Sequence, residues 1–167
     1  MKQDILDILN IHRVLTLATN RPDGWPQATM VGYANEDLII YFLISRSSQK
    51  FENLRRDNRV AITVGADADK LADIKGLAMS ALTYPANDPD QQRHGYQQIL
   101  RRRPEFASFP EPNWNEAAIV RAIPRDVAIL DFSKGPGHSD MVRVGQGLAV
   151  VMDPVRPDDW GPAPHPH

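Results

Sequence analysis

The chain has 167 residues, a formal net charge of −2 and no cysteine. That length suits one domain with a core large enough to need no staples, and the lack of thiols excludes disulfides and thiolate metal sites. The weakly acidic balance argues against general attraction to nucleic acid or an anionic membrane, and the longest apolar run, LIIYFLI at 38–44, is too short to span a bilayer.

The opening MKQDILDILN is acidic and amphipathic, without the basic-then-apolar layout of a signal peptide, so a cytoplasmic protein with no membrane or nucleic-acid partner is expected. Ile5, Ile8, Leu9 and His12 follow helical spacing and predict a helix over residues 3–11. RVLTLAT (13–19) is β-branched and apolar, NRPDG (20–24) is a turn, and WPQATMVGYA (25–34) alternates in character. LIIYFLI then reads as a strand buried on both faces. Three consecutive strands with short connections favour an antiparallel meander.

A helix over residues 48–56 follows, with Phe51 and Leu54 inward, and then a strand, RVAITVG (59–65). ADIKGLAMSALTY (72–84) predicts one more strand, with Gly76 at a bulge or a close approach. The segment from Asn87 reads as a helix opening near Asp88-Pro89 and stopped by Pro104. AAIVRAIPRDVAILDFS (117–133) gives one or two strands interrupted by Pro124; KGPGHSD is a loop; MVRVGQGLAVVMD holds a final strand pair. Residues 1–152 are thus expected to form one domain, and the proline-rich 153–167 a loose tail. About six or seven short strands with two or three helices suggest a mainly β, α+β fold: a closed antiparallel barrel of about six strands with peripheral helices, or else a β-sandwich.

The stretch SRSSQKFENLRRDNRVAI (45–62) places Ser45, Ser47, Ser48 and Lys50 at the head of a helix, straight after a strand. A helix N-terminus offers unpaired N–H groups and partial positive charge, so hydroxyls and a lysine there suit a phosphate. The plain alternative is a serine N-cap with a solvated lysine. LRRDNR has its own plain reading, cations near the negative pole of a helix.

The order LTLATNRPDGWPQATMVGYANEDLIIYFLISRSSQKFENLRRDNRVAITV resembles the FMN-binding split-barrel family named after pyridoxamine 5′-phosphate oxidase. The shared elements are a strand, an Asp-Gly turn, a strand centred on P-x-A-T, an apolar aromatic strand and a Ser-x-Lys helix start. IKGLAMSA and ILDFSKGPGHSDMVRV extend the likeness, which covers residues 3–145. It implies a split barrel, a homodimer with FMN at the subunit interface, and an oxidoreductase exchanging electrons with a small-molecule donor or acceptor. It places the phosphate at Ser48 and Lys50, with Ser45, Ser47 and Gln49 beside them. It places the flavin ring against Gln27, Ala28, Thr29 and Met30 and against Tyr41 and Phe42; ordinary core packing is the alternative for Ala28, Met30, Tyr41 and Phe42.

Departures from the family pattern matter. Gln49 stands where oxidase members carry arginine, and PQATMVGY has no basic residue. Leu71 falls near an expected glutamine, and the C-terminal arginine- and tryptophan-bearing segment has no clear counterpart beyond Trp160. A true pyridoxamine phosphate oxidase is therefore not expected, and phosphate contacts are fewer; Arg46 is a candidate replacement cation. Trp114, in a long loop, is a candidate cover for a neighbouring subunit's flavin. His138, in GPGHSD, is the one candidate catalytic group, a neutral-pH proton donor or else a turn residue. His94 is expected to face solvent, and His165 and His167 imply no tight metal site. No HExxH or G-x-S-x-G pattern is present, which disfavours those metalloenzymes and hydrolases. The rival readings are a deazaflavin reductase using Arg46, Arg55 and Arg56, a haem protein with His138 or a tail histidine as axial ligand, a non-catalytic flavin carrier, and a plain β-barrel interaction protein.

Overall fold

In the computed structural model, helix α1 (Lys2–Ile11) buries Ile5, Ile8 and Leu9 on one face. Each such side chain contributes about 1.5–3 kcal/mol before entropy costs, enough to dock a ten-residue helix too short to persist alone. The structure describes residues 1–152; the expected tail, with Trp160, His165 and His167, lies outside the described residues. Strands β1 (Val14–Asn20) and β2 (Pro26–Gly32) form the expected hairpin, with Val14 opposite Gly32 and Asn20 opposite Pro26. Gly24 takes φ +86° in the turn, as the Asp-Gly pair suggests.

The predicted meander ends at Tyr33. Its side chain is buried and its hydroxyl donates to the Leu9 carbonyl at 2.8 Å, which pins the chain where it leaves β2. Strand β3 (Ala34–Glu36) pairs with β4 (Ile39–Ser45), and neither forms a ladder with β2. Helix α2 (Gln49–Arg56), β5 (Arg59–Gly65), β6 (Lys75–Pro85), α3 (Pro89–Arg102), β7 (Ala117–Asp131), β8 (Ser139–Val144) and β9 (Val150–Met152) follow. Ladders run β2-β1-β5-β6-β7-β4-β3, with β8 on β7 and β9 on β8, all antiparallel.

The sheet curls into a half-barrel of seven strands that stays open, where a closed barrel was expected. Its two ends, β2 and β3, share no ladder. A three-residue β3 offers little to zip against seven-residue β2, and the bend at Tyr33 turns the chain away from it. Proline at 124 does not split β7 in two: Ala81 faces Pro124 and Ser80 faces Asp126, so Arg125 is the extra residue of a bulge that accommodates the missing N–H. Gly76 is the close approach that the sequence suggested. It faces Gly65, and a Cβ there would stand 2.8 Å from the Val64 carbonyl oxygen.

Inside the curl, Leu15, Leu17, Ile40, Phe42, Ile62, Met79, Val120 and Val127 pack with α1 and with Phe51 and Leu54 of α2. A smaller outer cluster joins Tyr41 and Ile119 of the sheet to Ile99 of α3. That second layer explains why LIIYFLI is apolar throughout: β4 has the barrel interior on one face and α3 on the other. Among the described residues, no helix is long and apolar enough to cross a membrane.

Candidate functional site

The head of α2 forms as its residue types dictate. Ser48 is the N-cap, accepting from the Phe51 N–H at 3.2 Å and donating to the Ser45 carbonyl at 2.7 Å. The Ser45 and Ser47 hydroxyls are exposed and lie 2.9 Å apart. Gln49 and Lys50 are the first helical positions, whose N–H groups have no partner within the helix. Lys50 is half-buried, and its ammonium makes no hydrogen bond or ion pair among the described residues.

A polar network that sequence reasoning missed ties this helix to the predicted ring strand. Asn53, fully buried, donates to Thr19 Oγ1 at 3.0 Å and to Gln27 Oε1 at 3.1 Å, and its own Oδ1 accepts from Gln49 Nε2 at 2.8 Å. Gln27 and Gln49 are thus brought to one residue. Thr29, two positions along the same face of β2, has a buried Oγ1 with no hydrogen-bond partner among the described residues. The signal for Asn53 was available in principle: a polar residue between Phe51 and Leu54, on the apolar side of a short helix. Ala28 and Met30 point to the opposite, outer face of β2, where Met30 is 78% exposed.

Other predicted residues do not converge here. Phe42 lies wholly inside the barrel core and pairs with Val120 of β7, so it is not open to a ligand here. Tyr41 packs under α3 against Gly95 and His94, with its hydroxyl 3.5 Å from Glu36 Oε2. Burial, with the Glu36 carboxylate adding to it, pushes that hydroxyl above its ordinary pKa. Arg46 is spent on structure: Nε donates to the Trp114 carbonyl at 2.8 Å and the Ala117 carbonyl at 3.0 Å, and the guanidinium lies over Phe51. Trp114 packs edge-on against Tyr96 of its own α3 and donates to Glu111 at 3.2 Å.

His138 stands apart. Ser45 faces Ala117 and Ser139 faces Leu130, so α2 and the His138 loop sit at opposite ends of β7. The His138 Nε2 is 3.2 Å from Asp140 Oδ1, within ion-pair range. The Asp140 carboxyl is held below the usual range chiefly by the Lys134 ammonium 3.0 Å away, with His138 assisting. His94 is exposed, as expected, with its Nε2 2.6 Å from Glu36 Oε2.

A curled antiparallel sheet with a capping helix after its fourth strand defines a split-barrel protein. The sequence model of the pyridoxamine 5′-phosphate oxidase family matches residues 1–129, and the chain belongs to that family. It is 32% identical over 73 residues to general stress protein 26 of Bacillus subtilis (strain 168), covering 44% of this chain. The chain spans about half the length of that curated relative, 51%. Among solved structures, it resembles the conserved hypothetical protein Rv2991 of Mycobacterium tuberculosis, with TM-score 0.69 and 27% identity over 89% of this chain and 94% of that one. It also resembles a heme binding protein of Mycobacterium smegmatis, with TM-score 0.72 and 18% identity over 85% of this chain and 57% of that one, a likeness of fold.

Proposed function

We propose that the protein is an FMN-binding oxidoreductase that works in the cytoplasm as a homodimer, with the flavin phosphate at the head of α2. The observation that carries this reading is the Lys50 ammonium, without a hydrogen bond or ion pair among the described residues, in the same helix head as Ser45, Ser47 and Ser48. The Gln49 and Lys50 N–H groups, which have no partner within the helix, the serine hydroxyls and the ammonium form a donor set suited to a phosphate monoester. The buried Thr29 hydroxyl on β2, without a partner among the described residues, is a polar group that the heteroatom edge of a flavin would satisfy. Gln27 accepts from Asn53 through Oε1, and its amide nitrogen makes no hydrogen bond among the described residues.

Bound flavin would supply reversible hydride and electron transfer with a small-molecule donor or acceptor. The chain's part is to hold the phosphate, orient the ring and exclude water. On the outer face of the hairpin, Ala18 lies opposite Ala28 and Ala61, beside exposed Met30 and Val14. A flat face of small residues with large exposed apolar neighbours suits a two-fold partner.

A second reading, haem, draws on the name of the Mycobacterium smegmatis structure. Among the described residues the axial candidate, His138, is held beside Asp140 far from α2; the tail histidines lie outside the described residues. Deazaflavin draws less support, because Arg46 is engaged with backbone carbonyls and Arg55 pairs with Glu52 at 3.3 Å. Visible absorption and melting temperature, measured with FMN and separately with haemin, distinguish these readings. Perturbed flavin bands and a higher Tm with FMN alone are expected. A Soret band with stabilisation by haemin alone would replace flavin with haem.

A further inference from the structure

A second concavity lies on the other side of β4, between the sheet and the start of α3. Tyr41 and Tyr84 are the cross-strand neighbours of Arg121 on its two sides, so the three form one row on the outer face of the sheet. Helix α3 touches this face closely at Gly95, where a Cβ would stand 2.4 Å from Ile119 Cγ2 and 3.2 Å from Tyr41 Cδ1. One turn earlier the helix stands off the sheet and leaves a cavity of about 260 Å³ over Arg121, walled by Tyr41, Tyr84, Ala86, Ile119 and Gln91.

Its one lining cation has no acidic partner within ion-pair distance among the described residues. Asp90 at the rim pairs with Arg93 at 3.2 Å, and His94 is engaged with Glu36 at 2.6 Å. The Arg121 guanidinium lies over the Tyr84 ring, 5.8 Å from its centroid, and has no hydrogen bond or ion pair among the described residues. Stacking leaves the N–H fork of an arginine free at its edge. The side-chain amide of Gln91 is likewise without a hydrogen bond among the described residues. A half-buried cation without an ion-pair partner among the described residues, in an apolar hollow with an amide nearby, is a site for an anion.

We propose that this cavity binds a small aromatic carboxylate, with its carboxylate on Arg121 and Gln91 and its ring against Tyr84 and Ile119. One planar fork matches one carboxylate, and the carboxylates of Asp90 and Glu36 at the margin disfavour a phosphate dianion. The ring is called for by the walls, and the limited volume holds it small. The site is separate from the head of α2 and does not depend on flavin binding there.

The test is calorimetric titration of the full chain with benzoate, with inorganic phosphate and FMN as comparisons. Saturable benzoate binding is expected, weakened roughly ten-fold or more in Arg121→Gln and by an intermediate factor in Arg121→Lys, which keeps charge but not the fork. Should Arg121→Gln fail to fold, Gln91→Leu, at an exposed helix position, is expected to weaken benzoate with Tm unchanged. Absence of saturable binding, or equal binding by wild type and the folded variants, would overturn the proposal. So would phosphate binding more tightly than benzoate, and competition between FMN and benzoate would assign the cavity to the flavin instead.

Discussion

Replacing Asn53 with alanine tests the network that joins α2 to the hairpin. The side chain makes three hydrogen bonds, to Thr19, Gln27 and Gln49, from a position with no solvent exposure. Each such bond is worth ~1 kcal/mol net, and Thr19, itself buried, would be left with an unmet hydroxyl. Alanine recovers ~0.5 kcal/mol of helix propensity, so the expected net loss is roughly 2–3 kcal/mol. Urea unfolding followed by circular dichroism should show a lower midpoint at unchanged slope. Thr19→Val, which removes one of the three bonds, should cost roughly 1 kcal/mol. A midpoint for Asn53→Ala indistinguishable from wild type would refute the idea that this network fixes α2 on the hairpin.

Gly95→Ala should destabilise by ~1–3 kcal/mol by overpacking against Ile119 and Tyr41, read as a lower Tm; an unchanged Tm would mean that α3 is free to shift. The Asp57 carboxyl is held well below its ordinary value of 3.8, chiefly by hydrogen bonds from Arg59 and with help from Asn20. A lowered folded-state pKa contributes stability that is present above 3.8 and lost as pH falls through the folded value. Asp57→Asn should therefore be less stable than wild type near neutrality, with the gap closing below pH 3.8 in acid-unfolding curves. The gap should be small, since Arg59 is exposed and the pair is screened; a gap that widens on acidification would contradict the assignment.

Much of the fold was legible because it rests on local rules. Period-3.6 burial gave α1, the Asp-Gly turn gave the β1–β2 hairpin, and Asp88-Pro89 gave the start of α3. What the sequence could not supply was pairing at long range. Nothing local says that β4 lies beside β7, some 75 positions along the chain, or that the barrel stays open at Tyr33. The local structure of the candidate site was legible to the same degree. Ser48 and Lys50 could be placed because capping is local, whereas Tyr41 and Phe42 looked alike in LIIYFLI although one faces α3 and the other the barrel core. Asn53 and Arg121 escaped notice because their partners come from distant strands.

The most direct test of the central claim is a flavin-fluorescence titration of FMN with wild type and with Lys50→Ala. If the head of α2 holds the phosphate, wild type quenches FMN saturably, and loss of one charged hydrogen bond worth ~1.5–3 kcal/mol weakens binding roughly ten- to a hundred-fold. Equal affinity in the two proteins would place the phosphate elsewhere and leave Ser45 to Lys50 as a helix cap.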